Sequence, residues 1–108
     1  MQRDPVSHEH PIIRKHPVTG REALYVNQGF TRSIVGLRKE ESDAILNTLY
    51  NLTHAAIDAQ ARVRWAKGAV VAWANERTQH SAIADFSASA QGRRHGLRIT
   101  PRGSVPSQ

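Results

Sequence analysis

Short apolar runs of strand length occur twice near the start of the chain, on either side of a turn. Residues 12–16 begin with two isoleucines, and residues 23–27 contain leucine, tyrosine and valine. Between them, Pro17 fixes φ and Gly20 accepts a positive φ, which is the chemistry of a tight turn. The pattern predicts a β-hairpin that follows a polar, flexible lead over residues 1–10.

A helical pattern comes next. From Lys39 onward, apolar residues recur mainly at intervals of three and four positions: Ile45, Leu46, Leu49, Tyr50, Leu52, Ala56 and Ile57. Glu40, Glu41 and Asp43 occupy the first turns, where the helix dipole favours negative charge. The spacing predicts a helix with one buried apolar stripe that belongs to the core.

Three further strands are predicted after the helix. Residues 61–65 alternate apolar and basic side chains, as a half-buried strand does. A turn at residues 66–68 leads into residues 69–75, which are apolar on both faces, as in a central strand of a sheet. After a loop of small and polar residues, the last strand covers residues 92–100, and residues 101–108 are predicted to be a disordered tail.

The order of elements predicts a mainly β fold with one helical insertion. Strands around a single helix are typical of part of a β-sandwich or jelly roll. A jelly roll needs about eight strands, and the chain offers four or five. Residues 11–100 are therefore predicted to be an incomplete portion of such a domain.

Composition narrows the classes of partner. Fifteen basic against nine acidic residues give a formal charge of +6. The basic residues are spread along the chain with few aromatic residues between them, so an anionic small molecule fits better than a nucleic acid. A basic nucleic-acid-binding module remains the less favoured alternative, and binding against salt concentration tests it.

The absence of cysteine excludes disulfides, zinc–thiolate sites and thiol chemistry, and it permits a cytoplasmic location. The longest apolar run, residues 69–74, is far too short to span a bilayer, so no membrane partner is expected. The first eight residues lack the apolar core of a secretory signal.

Candidate chemistry lies between residues 73 and 98. His80 follows the predicted apolar strand, and Arg94 and Arg98 are four positions apart on the last one. On a regular strand these arginines share a face and lie roughly 13 Å apart. One imidazole and two guanidinium groups suit a metal and a dicarboxylate. From the residues alone, a structural histidine and a solvated arginine face remain open alternatives, and His8 and His10 are a still weaker metal pair.

Several motifs together resemble the C-terminal part of the taurine dioxygenase (TauD/TfdA-like) family, which comprises Fe(II)- and 2-oxoglutarate-dependent dioxygenases. The resemblance runs from about residue 10 to residue 100. It is carried by His16-Pro-Val-Thr-Gly-Arg-Glu-Ala-Leu-Tyr-Val-Asn27, Phe30-Thr31, Ile34-Val-Gly-Leu37, Glu41-Ser42, Arg62-Val-Arg-Trp65, Gly68, Trp73, Asn75, Thr78-Gln-His80 and Arg93-Arg94.

The resemblance implies a jelly roll, or double-stranded β-helix, in which two histidines and one carboxylate hold iron. His80 resembles the distal histidine ligand. Arg94 resembles the arginine that binds the far carboxylate of 2-oxoglutarate. Arg98 resembles the arginine that pairs with the anionic group of a small substrate such as a sulfonate, and Phe30 resembles an aromatic residue beside that substrate.

The chain also departs from the family pattern. The other two iron ligands of the family form a His-x-Asp motif upstream, and no His-x-Asp occurs in these 108 residues. Trp73-Ala-Asn-Glu76 stands where the family has Trp-Asp-Asn-Arg, and Leu97-Arg98 replaces a His-Arg pair. We therefore expect a C-terminal fragment that is inactive alone. The alternative is a non-catalytic remnant that acts as a protein-interaction module, with self-association through open sheet edges.

Overall fold

The computed structural model of the chain describes residues 4–84 and 87–107. Two short strands, β1 (Ile13–Lys15) and β2 (Glu22–Leu24), are followed by one long helix, α1 (Lys39–Ala55). A single 3-10 turn, Ile57–Ala59, ends the helical region, and a short helix, α2, covers Ala88–Gln91. None of the helices within the described ranges has the length and apolar character needed to cross a membrane.

The hairpin is the one predicted from the sequence. β1 and β2 pair antiparallel, with Ile13 opposite Leu24 and Lys15 opposite Glu22. The His16 N–H donates to the Arg21 carbonyl at 2.8 Å, which closes the turn. Gly20 has a φ of 69°, a conformation that costs glycine little because it has no Cβ. The turn chemistry read from the sequence therefore forms as expected.

Helix α1 begins at the predicted residue, with Glu40 and Glu41 in its first turn. Its predicted apolar stripe is only partly covered. Leu46 is 3% exposed, whereas Leu52 remains 60% exposed. Among the described elements, only the two strands pack closely against each other, so much of the apolar face of α1 meets no neighbouring element.

The three later strands of the prediction are wrong as elements of this chain. Residues 61–65, 69–75 and 92–100 are extended or irregular, and the hairpin is the only sheet among the described residues. The turn between the first two segments does form, since the Ala69 N–H donates to the Ala66 carbonyl at 3.0 Å. A strand needs a neighbour to satisfy its backbone N–H and C=O groups, and no described segment pairs with these three.

The core is correspondingly small. The accessible surface is 10452 Å², whereas a compact domain of this mass exposes about 6,000 Å². The radius of gyration is 16.9 Å, against about 13 Å for a compact chain of this length. Apolar side chains of the segments predicted as strands contribute to this surface, since Val70, Leu97 and Ile99 are all more than 90% exposed.

The hairpin also receives the end of the chain. The Lys15 N–H donates to the Ser107 carbonyl at 2.9 Å, and the Arg14 side chain donates to Ser104. The two serines belong to residues 101–108, the segment predicted to be a disordered tail. Their contacts place the described part of this segment along the outer edge of β1.

Candidate functional site

A single tight turn shapes the segment that carries His80. The Ala74 carbonyl accepts hydrogen bonds from the N–H groups of Arg77 at 3.1 Å and Thr78 at 3.0 Å. The Thr78 hydroxyl donates to the same carbonyl at 2.7 Å. Because the chain folds back over these residues, Trp73 and His80 come together, with ring centroids 5.1 Å apart.

The indole of Trp73 is held from its other end. Its Nε1–H donates to Oδ1 of Asn75 at 2.7 Å, which limits rotation of the ring. The planes of the Trp73 and His80 rings are inclined by 59°. Tilted arrangements of this kind are favourable because the edge of one ring meets the face of the other.

Two contacts attach this segment to the hairpin. The side-chain amide of Gln79 donates to the carbonyl of Val26, a buried residue just after β2. The carboxylate of Glu76 lies 3.9 Å from Nε2 of His16, an ion pair when His16 is protonated. His80 is therefore placed by residues that precede it closely in sequence and that are themselves tied to the hairpin.

The structure brings three of the four predicted site residues to one place. His80, Arg94 and Arg98 all line an open cleft of about 1170 Å³, together with Trp65 and Trp73. Arg102 and His95 also line it, and Glu76 is the single acidic residue among its described lining. A cleft with three arginines and one carboxylate attracts small anions.

The expected strand face does not explain this convergence. Residues 92–100 form no regular strand, so the period-two argument that put Arg94 and Arg98 on one side does not apply. Gly92, with a φ of 82°, turns the chain just before the arginines. Both side chains reach the cleft through this turn and the extended backbone that follows it.

Phe30 lies apart from these residues. It is 85% exposed and does not line the cleft that holds His80 and the arginines. A tight turn presents it, in which the Asn27 carbonyl accepts from the N–H groups of Phe30 and Thr31 at 3.2 and 2.7 Å. It does border a wider hollow that His80, Arg94 and Arg98 also line, and its role beside a substrate stays a prediction.

The described residues do not by themselves fit an iron site. No group of three histidine, cysteine, aspartate or glutamate side chains lies close enough together, within residues 4–84 and 87–107, to hold a metal ion. His80 supplies one imidazole. His8 and His10 lie with ring centroids 6.0 Å apart, and His10 packs edge-on against Tyr25 instead of joining a cluster of ligands.

The site is supported by Gln79, Asn75 and Glu76. Their contacts were not predicted from the sequence. Asn75 carried a local signal, since an amide two positions after a tryptophan can reach the indole N–H. The partner of Gln79 is 53 positions away along the chain, so no pattern near residue 79 indicates it.

Comparison with known proteins decides the family. A model of the taurine catabolism dioxygenase TauD, TfdA family matches residues 2–100. The chain belongs to this family. No solved structure matches it significantly.

Relatives in the taurine catabolism dioxygenase family carry consistent names. The chain is 46% identical over 105 residues to an alpha-ketoglutarate-dependent sulfonate dioxygenase of Saccharomyces cerevisiae, covering 97% of this chain and 25% of that protein. It is 46% identical to the alpha-ketoglutarate-dependent dioxygenase cnsM of Penicillium expansum, covering 90% of this chain and 26% of that protein. An alpha-ketoglutarate-dependent sulfate ester dioxygenase of Pseudomonas putida is 33% identical, with 91% of this chain and 31% of that protein covered. The chain thus spans between a quarter and a third of the length of these relatives.

Proposed function

We propose that this chain is the C-terminal portion of an Fe(II)- and 2-oxoglutarate-dependent dioxygenase that hydroxylates a small anionic substrate, such as a sulfonate or a sulfate ester. The observation that carries the proposal is the convergence of His80, Arg94 and Arg98 on one basic cleft. The named activities of the yeast and Pseudomonas relatives support the substrate class.

In this proposal Arg94 binds the far carboxylate of 2-oxoglutarate and Arg98 binds the anionic group of the substrate. A guanidinium presents two parallel N–H groups that match the two oxygens of a carboxylate or sulfonate. The cleft is also lined by Trp65 and Trp73, which offer apolar surface to the carbon skeleton of such ligands.

His80 is proposed as one metal ligand, held in orientation by Trp73. The family's iron site takes two histidines and a carboxylate on one face of the metal. The described residues offer no such group, and the sequence contains no His-x-Asp motif, so we propose that the two further ligands come from additional polypeptide. The isolated chain is therefore proposed to be inactive as a dioxygenase.

The same polypeptide would complete the fold. Residues 61–65, 69–75 and 92–100 have the composition of strands, and none of them joins a sheet among the described residues. We propose that they form part of a jelly-roll wall when neighbouring strands are supplied. The exposure of Val70, Leu97 and Ile99 supports this view, because buried strands in sheets are rich in such residues. Alone, the chain is expected to self-associate through these segments.

A chimera tests the proposal. The part of the Saccharomyces cerevisiae relative that the chain does not cover, all but 25% of its length, would be joined to the N-terminus of this chain, as the proposed C-terminal position requires. We expect 2-oxoglutarate-dependent oxygen consumption with a sulfonate in the chimera and none in the isolated chain. His80→Ala in the chimera is expected to abolish it. Tight, stoichiometric Fe(II) binding by the isolated chain, or full activity of the His80→Ala chimera, would reject the assignment.

A non-catalytic interaction module is the second candidate function. The observation that favours it is the large exposed apolar surface, which fits a chain that a partner covers. A chimera that folds but neither binds 2-oxoglutarate nor consumes oxygen would favour this candidate over the dioxygenase.

A further inference from the structure

Arg14 is a charged side chain buried in the hairpin. It is 6% exposed, and within the described residues no carboxylate lies in ion-pair range of it. Its Nη2 donates to the Ser104 carbonyl at 2.8 Å and to the Ser104 hydroxyl at 3.1 Å. Its guanidinium carbon lies 5.1 Å from the centre of the Tyr25 ring. Burying a guanidinium is costly unless it finds partners, and Arg14 finds them in Tyr25 and Ser104. The contact with Ser104 holds the C-terminal segment against the hairpin.

Two further contacts continue along the same segment, residues 103–107. The Ser107 carbonyl accepts from the N–H of Lys15 at 2.9 Å, on the edge of β1 that does not face β2. Gly103 passes so close to Glu76 that a Cβ on it would stand 3.0 Å from Oε1. The segment is thus hydrogen-bonded to the hairpin at two points, Ser104 and Ser107, and passes close to the segment that carries His80.

This anchored segment directly continues the cleft wall. Residues 94–103 line the cleft without interruption, and the next residue, Ser104, is the one that Arg14 holds. Ser104 lies six positions after Arg98, which allows at most about 20 Å of extended chain between them. Fixing Ser104 therefore restricts where Arg98 can go, since no regular strand restrains it.

We infer that Arg14 is a positioning residue: by anchoring Ser104 on the hairpin, it limits the range of positions open to the segment that presents Arg98 and, ten residues from the anchor, Arg94 to the cleft. The consequence for anion binding rests on the function proposed above, whereas the anchoring itself does not. Arginine suits this task better than lysine. Its planar group places Cζ over the Tyr25 ring while a separate atom, Nη2, donates to two oxygens of Ser104, whereas a lysine has to make all of these contacts with a single nitrogen.

Hydrogen exchange on the 108-residue chain tests the anchoring without reference to catalysis. Arg14→Gln is expected to speed exchange of the Lys15 amide, whose acceptor is the Ser107 carbonyl, at least tenfold and to leave α1 unchanged. Arg14→Lys should retain only part of the protection. Arg21→Gln is the matched control, because Arg21 is an exposed arginine of the same hairpin. Unchanged exchange at Lys15 in Arg14→Gln, or equally faster exchange throughout α1, would overturn the proposal.

A chain that ends at residue 102 covers the case in which Arg14→Gln does not fold. It leaves the hairpin sequence intact and removes the acceptors of Arg14 and Lys15. We expect faster exchange at Lys15 with unchanged exchange in α1, and protection equal to that of the full chain would overturn the proposal.

A second readout separates positioning from general stability. In the chimera described above, Arg14→Gln is expected to raise the KM for 2-oxoglutarate and substrate several-fold, with kcat and the unfolding midpoint nearly unchanged. A fall in kcat alone, or a lowered unfolding midpoint with unchanged KM, would assign Arg14 a structural role only. If the chimera is inactive, the exchange experiment still decides the anchoring.

Discussion

The indole ring of Trp73 lies against the imidazole of His80, with ring centroids 5.1 Å apart and planes inclined by 59°. The two residues are separated in sequence by the turn around the Ala74 carbonyl, which brings them together. A histidine packed in this way has fewer orientations than a free one. This pre-orders the imidazole before any ligand arrives, which reduces the entropic cost of binding.

Removing the Trp73 ring should change the surroundings of His80 in a measurable way. We expect Trp73→Leu to move the imidazole proton resonances of His80 toward those of a histidine without an aromatic neighbour, because the ring current of the indole is lost. Trp73→Phe should retain part of the effect. Trp65→Leu is the control, since Trp65 lines the same cleft and the aromatic contact of His80 is with Trp73. Equal shifts in both leucine variants would mean that the Trp73–His80 contact does not persist in solution.

Gln79 should contribute to stability through its bond to the Val26 carbonyl. Gln79→Ala leaves a buried acceptor without its partner, which costs about 1–3 kcal/mol of unfolding free energy. Gln79→Glu should be worse at neutral pH, because a carboxylate has no proton to donate and meets the carbonyl oxygen. Urea unfolding followed by helix circular dichroism measures both. A Gln79→Glu variant as stable as the parent would show that this bond is absent in solution.

The elements that form as predicted are those whose signals are local. The hairpin follows from Pro17 and Gly20, and α1 follows from its apolar spacing and from Glu40 and Glu41 at its start. The predicted strand over residues 69–75 had an equally clear apolar pattern and does not form. Its backbone groups need partners from another segment, and none of the described residues supplies them. Local periodicity reports which face a strand would bury, and it does not report whether a neighbouring strand is present.

In the candidate site, too, some features could be predicted from the sequence and others could not. The resemblance to the dioxygenase family selected His80, Arg94 and Arg98, and the cleft contains all three. The contacts that hold them connect residues far apart along the chain. Arg14 reaches Ser104 across 90 positions, and Gln79 reaches Val26 across 53. Such pairs leave no spacing pattern in a single sequence.

Ser42 should be needed to hold the segment that precedes α1 against the helix. It is 1% exposed, and its Oγ accepts the N–H of Ile34 at 2.8 Å. Ser42→Ala leaves that N–H without an acceptor and is expected to cost about 1–3 kcal/mol. Ser33→Ala, at an exposed position in the same approach, is expected to change stability by less than about 0.5 kcal/mol. Equal effects in thermal unfolding would contradict the role given to Ser42.

Arg94 should determine affinity for 2-oxoglutarate in the chimera. Charge-assisted hydrogen bonds contribute about 1.5–3 kcal/mol each, so Arg94→Ala should raise the apparent Kd at least about tenfold. Arg94→Lys should also bind poorly, because an ammonium cannot form the bidentate pair. Calorimetric titration with 2-oxoglutarate measures both variants. Parental affinity in Arg94→Ala would reject the role given to this arginine.

Arg98 should determine affinity for the anionic substrate and leave 2-oxoglutarate binding nearly intact. Arg98 lines the same cleft as Arg94, and between them Gly96 has no atoms near the position that a Cβ would take, so a ligand has room there. In the chimera, Arg98→Ala is expected to weaken binding of a sulfonate at least about tenfold and to change 2-oxoglutarate binding less than twofold. Arg102→Ala is the matched control, because Arg102 is a third arginine of the cleft wall to which no ligand is assigned. Equal loss of both ligands in Arg98→Ala would indicate that Arg98 maintains the shape of the cleft. No loss of either, or the same sulfonate loss in Arg102→Ala, would mean that the charge of the substrate is recognised by the basic cleft as a whole.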